Sequence, residues 1–306
     1  MANLKNIKNR INSITSTQKI TRAMKMVASA KIKKTENRVK ASRPFTYELT
    51  KLFYRALNSV RDIDTKGMKF DEPINNYPVL LKEREIKTVG LLVVTSNKGL
   101  CGAFNANLVR YTIKKVKEYK EKGINTRLFI IGQKGFASLK RQTNSVGFEI
   151  AQTYLNFPAA PNASCARVVA NDMAEEFVEN KVDSMEIVTT RFKNMMSYSV
   201  ETWDILPLDD IEDDYVSEEH TDMTVEPDMP TILSELVPLY ITNIIYQALL
   251  ESVASELASK MTAMSAACNN ADSMIKSLTV EYNKARQAQI TQDIIEIVGG
   301  AESVRK

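Results

Sequence analysis

Residues 257–285, LASKMTAMSAACNNADSMIKSLTVEYNKA, decide the fold. Leu257, Met261, Met264, Cys268, Ala271, Ile275, Leu278, Tyr282 and Ala285 recur at alternating steps of four and three. An α-helix turns every 3.6 residues, so this spacing draws a single stripe along one face, the seam of a coiled coil. No Gly or Pro interrupts the chain from Leu239 to Val298, a run of 60 residues. At 1.5 Å per residue such a run makes about 90 Å of helix.

The other end of the chain repeats the pattern. Gly and Pro are absent from Met1 to Arg43, and Leu4, Ile7, Ile11 and Ile14 open a second seam. Its next positions, Gln18 and Thr21, are polar, and the apolar stripe resumes displaced at Ile20, Met24 and Val27. That displacement predicts a phase break in the supercoil. Pro44 marks a place to kink or end the helix, although Phe45 to Val60 keeps helical character. An arm of this size makes about 65 Å of helix, and neither arm can bury its stripe inside a domain of ordinary diameter. The economical solution is an antiparallel pair within one chain; a homodimeric coil is the alternative. Ala, Met and Cys in the C-terminal seam allow close approach of two helices, and Met also fills gaps loosely. Past Ala285 the seam positions become Gln289, Gln292 and Glu296, while Ile290, Ile294, Ile295, Ile297 and Val298 shift to another face. The last turns should leave the pair and face something else.

Between the arms the pattern is α/β. Thr88–Thr95 is predicted as a buried strand, 96–102 as a loop, 105–122 as a helix closed by Gly123, and Thr126–Ile131 as a second strand. A short helix at 134–141, a strand at 146–154, a helix at 162–180 and strands at Ser184–Phe192 and Tyr198–Ile205 follow. In the 162–180 helix the apolar positions are Val168, Val169, Met173 and Phe177. Alternating elements predict a doubly wound, mainly parallel, Rossmann-like sheet. The domain division is 1–60 for the first helix, 61–87 for a connection, 88–207 for the α/β domain, 208–230 for an acidic linker and 231–306 for the second helix.

Composition narrows the chemistry. The 306 residues carry 41 basic and 37 acidic side chains, a net charge of +4, unevenly placed. Residues 1–43 hold 12 Lys or Arg and one acid, Glu36, whereas no Lys or Arg occurs from Asn194 to Ser259. Asp209 to Asp228 holds ten acids. A basic helix is either a solvated face or a face for an acidic partner, nucleic acid or an acidic protein surface. Residues 1–43 contain no aromatic side chain to stack on a base. No stretch of 18 consecutive apolar residues suggests a membrane span. The single histidine, His220, leaves no material for a Ser-His-Asp device, and Cys101, Cys165 and Cys268 are too scattered for a zinc site or a disulfide framework. Asp62, Asp64, Asp71 and Glu72 lack metal-ligand spacing. Gly99 and Gly102 form neither a dinucleotide fingerprint nor a P-loop, so the default is a tight turn packing strand on helix.

These residues carry a resemblance. Ile7-Lys8-Asn9-Arg10-Ile11, Thr17-Gln18-Lys19-Ile20-Thr21 and Met24 to Ala28 at the start resemble the γ subunit of F-type ATP synthase, bacterial type. So do Tyr282-Asn283-Lys284-Ala285-Arg286-Gln287-Ala288 and Ile290 to Ala301 at the end, Lys260-Met261-Thr262-Ala263-Met264, and the central Thr95-Ser96-Asn97-Lys98-Gly99-Leu100-Cys101-Gly102-Ala103-Phe104-Asn105. The resemblance spans essentially the whole chain. It implies a central rotor stalk whose terminal helices form an antiparallel coiled coil within a ring of three α and three β subunits. It also implies an α/β foot that meets the ε subunit and the membrane c-ring, so that proton-driven rotation is coupled to ATP synthesis or hydrolysis on the ring. By motif, Met24, Arg286, Gln287 and Thr291 are the implied β-subunit contacts, with Lys8, Arg10, Lys19, Arg22 and Lys25 as electrostatic contacts to acidic β segments. It implies no catalytic residue, cofactor, metal or nucleic acid in this chain, and a peripheral place on the cytoplasmic side of the cell membrane. The acidic 209–224 segment matches no motif of the family. The two-cysteine insert of the plastid type has no counterpart, so redox gating is not expected.

Overall fold

The computed structural model describes residues 4–58, 72–82, 84–207, 226 and 228–304. Asp62, Asp64, Asp71, His220 and nearly all of the acidic 209–228 run lie outside the described residues. The chain divides into two compact units: Met1–Ala30 with Lys260–Lys306, and Lys31–Ser259. Two helices bracket everything else, α1 at Leu4–Asn58 and α6 at Met229–Val304. Between them come α2 (Tyr77–Leu80), β1 (Thr88–Val94), α3 (Phe104–Glu121), β2 (Asn125–Ile131), α4 (Gln133–Leu139), β3 (Glu149–Tyr154), α5 (Ala163–Val178), β4 (Ser184–Asn194) and β5 (Ser197–Leu206).

The larger unit is a five-stranded sheet ordered β3-β2-β1-β4-β5 with helices on both faces. The first four strands are parallel and β5 runs antiparallel to β4. Strand β1, central in the sheet, is buried on both sides, which is why it has an unbroken apolar sequence instead of an alternating one. One face carries Leu91, Val93, Leu128 and Ile130 under Phe104, Leu108 and Val116 of α3. The other carries Leu92, Phe129, Met185 and Ile187 under α5, α1 and α6. Asn162 caps α5 by accepting from the Cys165 amide at 2.9 Å, and the helix buries Val169, Met173 and Phe177. Val168, expected among those apolar positions, is 57% exposed. The stripe that α5 buries runs through Ala166, Val169, Ala170, Met173, Ala174 and Phe177, and at 100° per residue Val168 falls on the opposite face.

In this unit α1 and α6 run side by side. Phe53 stacks on Tyr240 with ring centroids 4.1 Å apart, and Tyr54 meets Tyr240 edge-on at 6.3 Å. Asn243 donates to Thr46 Oγ1 at 2.9 Å. Pro44 neither ends nor interrupts α1, which continues to Asn58. One 18-residue window of α6 is long and apolar enough to cross a membrane, but 61% of it is buried inside the protein. Leu233, Val237, Ile241, Ile245 and Leu249 belong to the core beneath the sheet.

The expected phase break in α1 is corrected by the structure. In the smaller unit Leu4, Ile7, Ile11, Ile14, Gln18, Thr21, Lys25 and Ala28 are covered at unbroken steps of three and four, with Thr15 and Met24 half-buried at the flank of that stripe. In the larger unit Ile32, Thr35, Val39, Ser42, Thr46, Leu49, Phe53 and Ala56 keep the same alternation. Ile20 and Val27, assigned to a displaced stripe, are 61% and 55% exposed. The seam keeps its phase because Gln18, Thr21 and Lys25 find hydrogen-bond partners inside it, so polarity there marks no departure from the interface.

Candidate partner-contact surface on the paired helices

The smaller unit is an antiparallel coiled coil. Gln18 donates to Asp272, Thr21 Oγ1 lies 3.2 Å from Cys268 Sγ, and Lys25 Nζ donates to Ser265 Oγ at 3.0 Å. Stepping forward three and four along α1 means stepping back four and three along α6, which sets the direction of the pair. Ile7, Ala28, Met264, Cys268, Ala271 and Leu278 are its buried apolar positions. The C-terminal seam foreseen from the sequence is therefore real, down to the half-buried Tyr282 and Ala285.

Beyond Ala285 the surroundings change. Every residue from Arg286 to Val298 is exposed, including Ile290, Ile294, Ile295 and Ile297 at 48–71%. At the antiparallel register Leu4 lies level with about residue 286. Among the described residues nothing of this chain covers the end of α6. Arg286, Gln287 and Thr291 sit there, and Thr291 Oγ1 turns back onto the Gln287 carbonyl at 2.9 Å. That bond occupies the hydroxyl hydrogen and leaves the Gln287 amide and the Arg286 fork outward.

The other expected site residues lie elsewhere on the coil. Met24 is half-buried beside Lys25, level with Ser265. That is some twenty residues, or about 30 Å along α6, from Arg286. The structure thus brings Arg286, Gln287 and Thr291 together and leaves Met24 apart. Lys8, Arg10, Lys19 and Arg22 are exposed, and among the described residues none is in an ion pair. Lys25 differs from them, since its ammonium points into the seam. Gln18 and Thr21 occupy the seam positions that the spacing gives them, whereas Lys25, expected as an outward electrostatic contact, is a seam residue as well. Their only signal was strict three-four spacing from Leu4 to Ala28.

The glycine loop after β1 holds no vacant cradle. Ser96 N–H donates to Asn105 Oδ1 at 3.0 Å, Ser96 Oγ donates to the Lys98 carbonyl at 2.7 Å, and Asn97 bridges the Phe157 carbonyl and the Gln133 amide. These groups tie the turn to itself and to the neighbouring loops. Among the described residues no cluster of His, Cys, Asp or Glu could hold a metal ion. Cys101, Cys165 and Cys268 are thiols outside any disulfide, with Cys101 and Cys268 buried.

Comparison with known proteins places this architecture. The family model described as ATP synthase matches residues 3–304. The chain is 40% identical to the ATP synthase gamma chain of Synechococcus sp. (strain JA-3-3Ab) over 329 aligned positions, covering 99% of this chain and all of the relative. It is 36% identical to the gamma chain of Actinobacillus succinogenes over 306 positions, covering 99% of this chain and all of that one. Among solved structures it resembles a chain of the Tetrahymena thermophila mitochondrial ATP synthase central stalk and c-ring at TM-score 0.58 and 26% identity, covering 81% of this chain and 99% of that one. A chain of the Euglena gracilis mitochondrial ATP synthase shares the fold at TM-score 0.64 and 20% identity, covering 98% and 94%. With a full-length family match, relatives at this identity and the same pair of terminal helices around a parallel sheet, the chain belongs to the ATP synthase gamma-chain family.

Proposed function

We propose that this chain is the central stalk of an F-type ATP synthase and is not itself catalytic. The paired helices enter the ring of three α and three β subunits. The α/β domain at 88–207 serves as the foot toward the ε subunit and the c-ring, and the complex is peripheral on the cytoplasmic side of the cell membrane. Ion-driven turning of the foot then changes which face of the coil each β subunit meets. One observation carries this reading. The coil outlasts its own partner helix, and α6 continues past Ala285 with an exposed mixture of Arg286, Gln287 and isoleucines. A helix with an uncovered apolar stripe at one end of a polar-surfaced coil fits a socket in another protein. The unpaired Lys8, Arg10, Lys19 and Arg22 suit acidic β segments that pass during rotation, because attraction between exposed charges is weak, long-ranged and non-sticking. Met24 marks a third contact further down the coil.

The test is Arg286→Ala and Gln287→Ala in the assembled complex. Both side chains are exposed, so assembly should be unchanged. Coupled ATP turnover should fall roughly tenfold for Arg286→Ala, the worth of a hydrogen bond to a charged group. Wild-type turnover in both variants would show that the cluster is solvated surface.

A further inference from the structure

Strand β4 is longer than its parallel neighbour. The pairing of β1 with β4 ends at Val93 and Val188, whereas β4 runs on to Asn194 bonded to β5 alone. The overhang would leave backbone groups bare on its β1 side, and helix α6 takes the place of the missing strand. Thr189 Oγ1 donates to the Ala248 carbonyl at 3.1 Å. Phe192 N–H donates to Glu251 Oε2 at 2.8 Å, and the Phe192 carbonyl accepts from Arg43 Nη2 at 2.7 Å. Arg43 also forks onto Glu251, Nε to Oε1 at 2.8 Å and Nη2 to Oε2 at 3.0 Å. Gln247 Nε2 completes the shell on Oε1 at 2.9 Å. Glu251 is 1% exposed, and Ile32, Val39, Leu250, Ala254 and Ala258 close an apolar wall around Phe192.

Glu251 is buried while the Arg43 side chain keeps 41% of its surface exposed, and a buried carboxylate is a poor way merely to hold elements together, since well-packed apolar groups of the same volume often do as well or better. A bidentate guanidinium–carboxylate fork adds direction. Apolar faces can slide or roll past each other at small cost, whereas a fork bonded to both backbone groups of one residue resists rotation about any axis. Here a single network holds α1 through Arg43, α6 through Glu251 and Gln247, and the sheet through Phe192. Two further polar ties between α6 and the α/β elements, Thr189 to the Ala248 carbonyl and Ser259 to the Cys101 carbonyl, are neutral single bonds.

We infer that Arg43, Glu251 and the backbone of Phe192 form the fixed joint through which turning force passes between the α/β sheet and the paired helices. Arg43 and Glu251 are positioning residues for coupling, an assignment that rests on the stalk reading above. Under load the joint holds the stretches of α1 and α6 around Arg43 and Glu251 at one angle to the sheet.

The complete complex in sealed vesicles tests this with Arg43→Met, Arg43→Lys and Glu251→Gln. Two quantities are measured: amide hydrogen exchange at Phe192 against Leu92 in β1, and ions moved per ATP as an opposing gradient is raised. Arg43→Met and Glu251→Gln should speed exchange at Phe192 roughly tenfold, the loss of a charge-assisted bond, and leave Leu92 unchanged. Ions moved per ATP should match wild type without a gradient and fall progressively below it as the gradient grows. Arg43→Lys keeps the charge without the fork and should lie between. A wild-type ion ratio under load overturns the proposal, as does unaltered exchange at Phe192. A loss of assembly in all three variants that accounts for the lost pumping shows an architectural network and overturns it too. An Arg286→Ala complex in the same assay separates the two ideas: if it uncouples while Arg43→Met does not, the stalk contact stands and the joint falls; if neither uncouples, the joint falls and the Arg286 cluster is solvated surface.

Discussion

Thr21 Oγ1 and Cys268 Sγ face each other at 3.2 Å in the middle of the helix pair, where an apolar seam would place two aliphatic side chains. With Gln18 against Asp272 on one side and Lys25 against Ser265 on the other, they make a polar layer of three successive steps. Polar seam positions cost stability and specify register, because a slipped alignment would strand each group without its partner.

Removing one step of that layer should therefore stabilise the coil. Lys25→Leu with Ser265→Ala replaces both partners with apolar groups and is expected to raise unfolding free energy by about 1 kcal/mol. Thermal unfolding of the full chain followed by helical circular dichroism measures it. A drop of that size would mean that the lysine stem and its bond already outweigh apolar packing.

Gly132 packs its Cα directly against backbone in the sheet domain. Its φ is 98°, and a Cβ there would overlap the Thr95 carbonyl oxygen. Thr95 cannot retreat, since its amide and hydroxyl both donate to the Ile131 carbonyl at 2.9 and 2.6 Å. Gly132→Ala should cost about 3 kcal/mol by urea titration. Gly99→Ala meets only the flexible Lys134 Cε at 3.6 Å and should stay within about 0.5 kcal/mol.

Glu186 gives the domain a pH dependence of predictable sign. Burial raises its carboxyl above the ordinary 4.5, more than the hydrogen bond from Tyr119 and the charge of Lys115 lower it. Asp204, its cross-strand partner on β5, also raises it. A folded state that holds this proton more tightly is stabilised at low pH and loses that contribution as pH rises through the raised value. Glu186→Gln should be less pH-sensitive than wild type. The stability difference in favour of the variant should grow from pH 4.5 upward and then level off once Glu186 has ionised. Parallel melts across that range decide it, and an advantage that shrinks with rising pH would reverse the assignment.

Met24→Lys adds a charge beside Lys25 on the part of the coil that also bears Lys19 and Arg22. Met24 is only half-buried, so stability should change by no more than about 1 kcal/mol. Coupling should fall all the same, because stronger attraction to an acidic segment holds the rotor at one angle. Ions moved per ATP by the assembled complex measure this, and an unchanged ratio would place Met24 outside the contact.

Much of the fold was legible. Strands β1 and β2, helices α3 and α5 and the C-terminal seam all follow from local pattern: apolar runs of strand length, turns at Gly123 and Gly132, and three-four spacing. The errors came where burial and polarity part company. Val168 reads as core because it is apolar, Gln18 and Thr21 read as a phase break because they are polar, and Lys25 reads as an outward contact because it is charged. Hydropathy along a chain shows which side chains avoid water; it cannot show which polar ones have found a partner 240 or more residues away.

By itself the sequence determined that two uninterrupted helices flank a parallel sheet, since Gly, Pro and apolar spacing act within a few turns of chain. It also determined the family, through long motifs at both ends and in the middle. Only the tertiary structure decided that the α1 seam keeps one phase, that Lys25 faces inward while its basic neighbours face out, and that Arg43, Glu251 and Phe192 meet. Those outcomes depend on pairing energies between residues distant in sequence, such as Arg43 and Glu251, 208 positions apart. No local pattern encodes them, because a buried charge is tolerable only when its partner arrives from elsewhere in the fold.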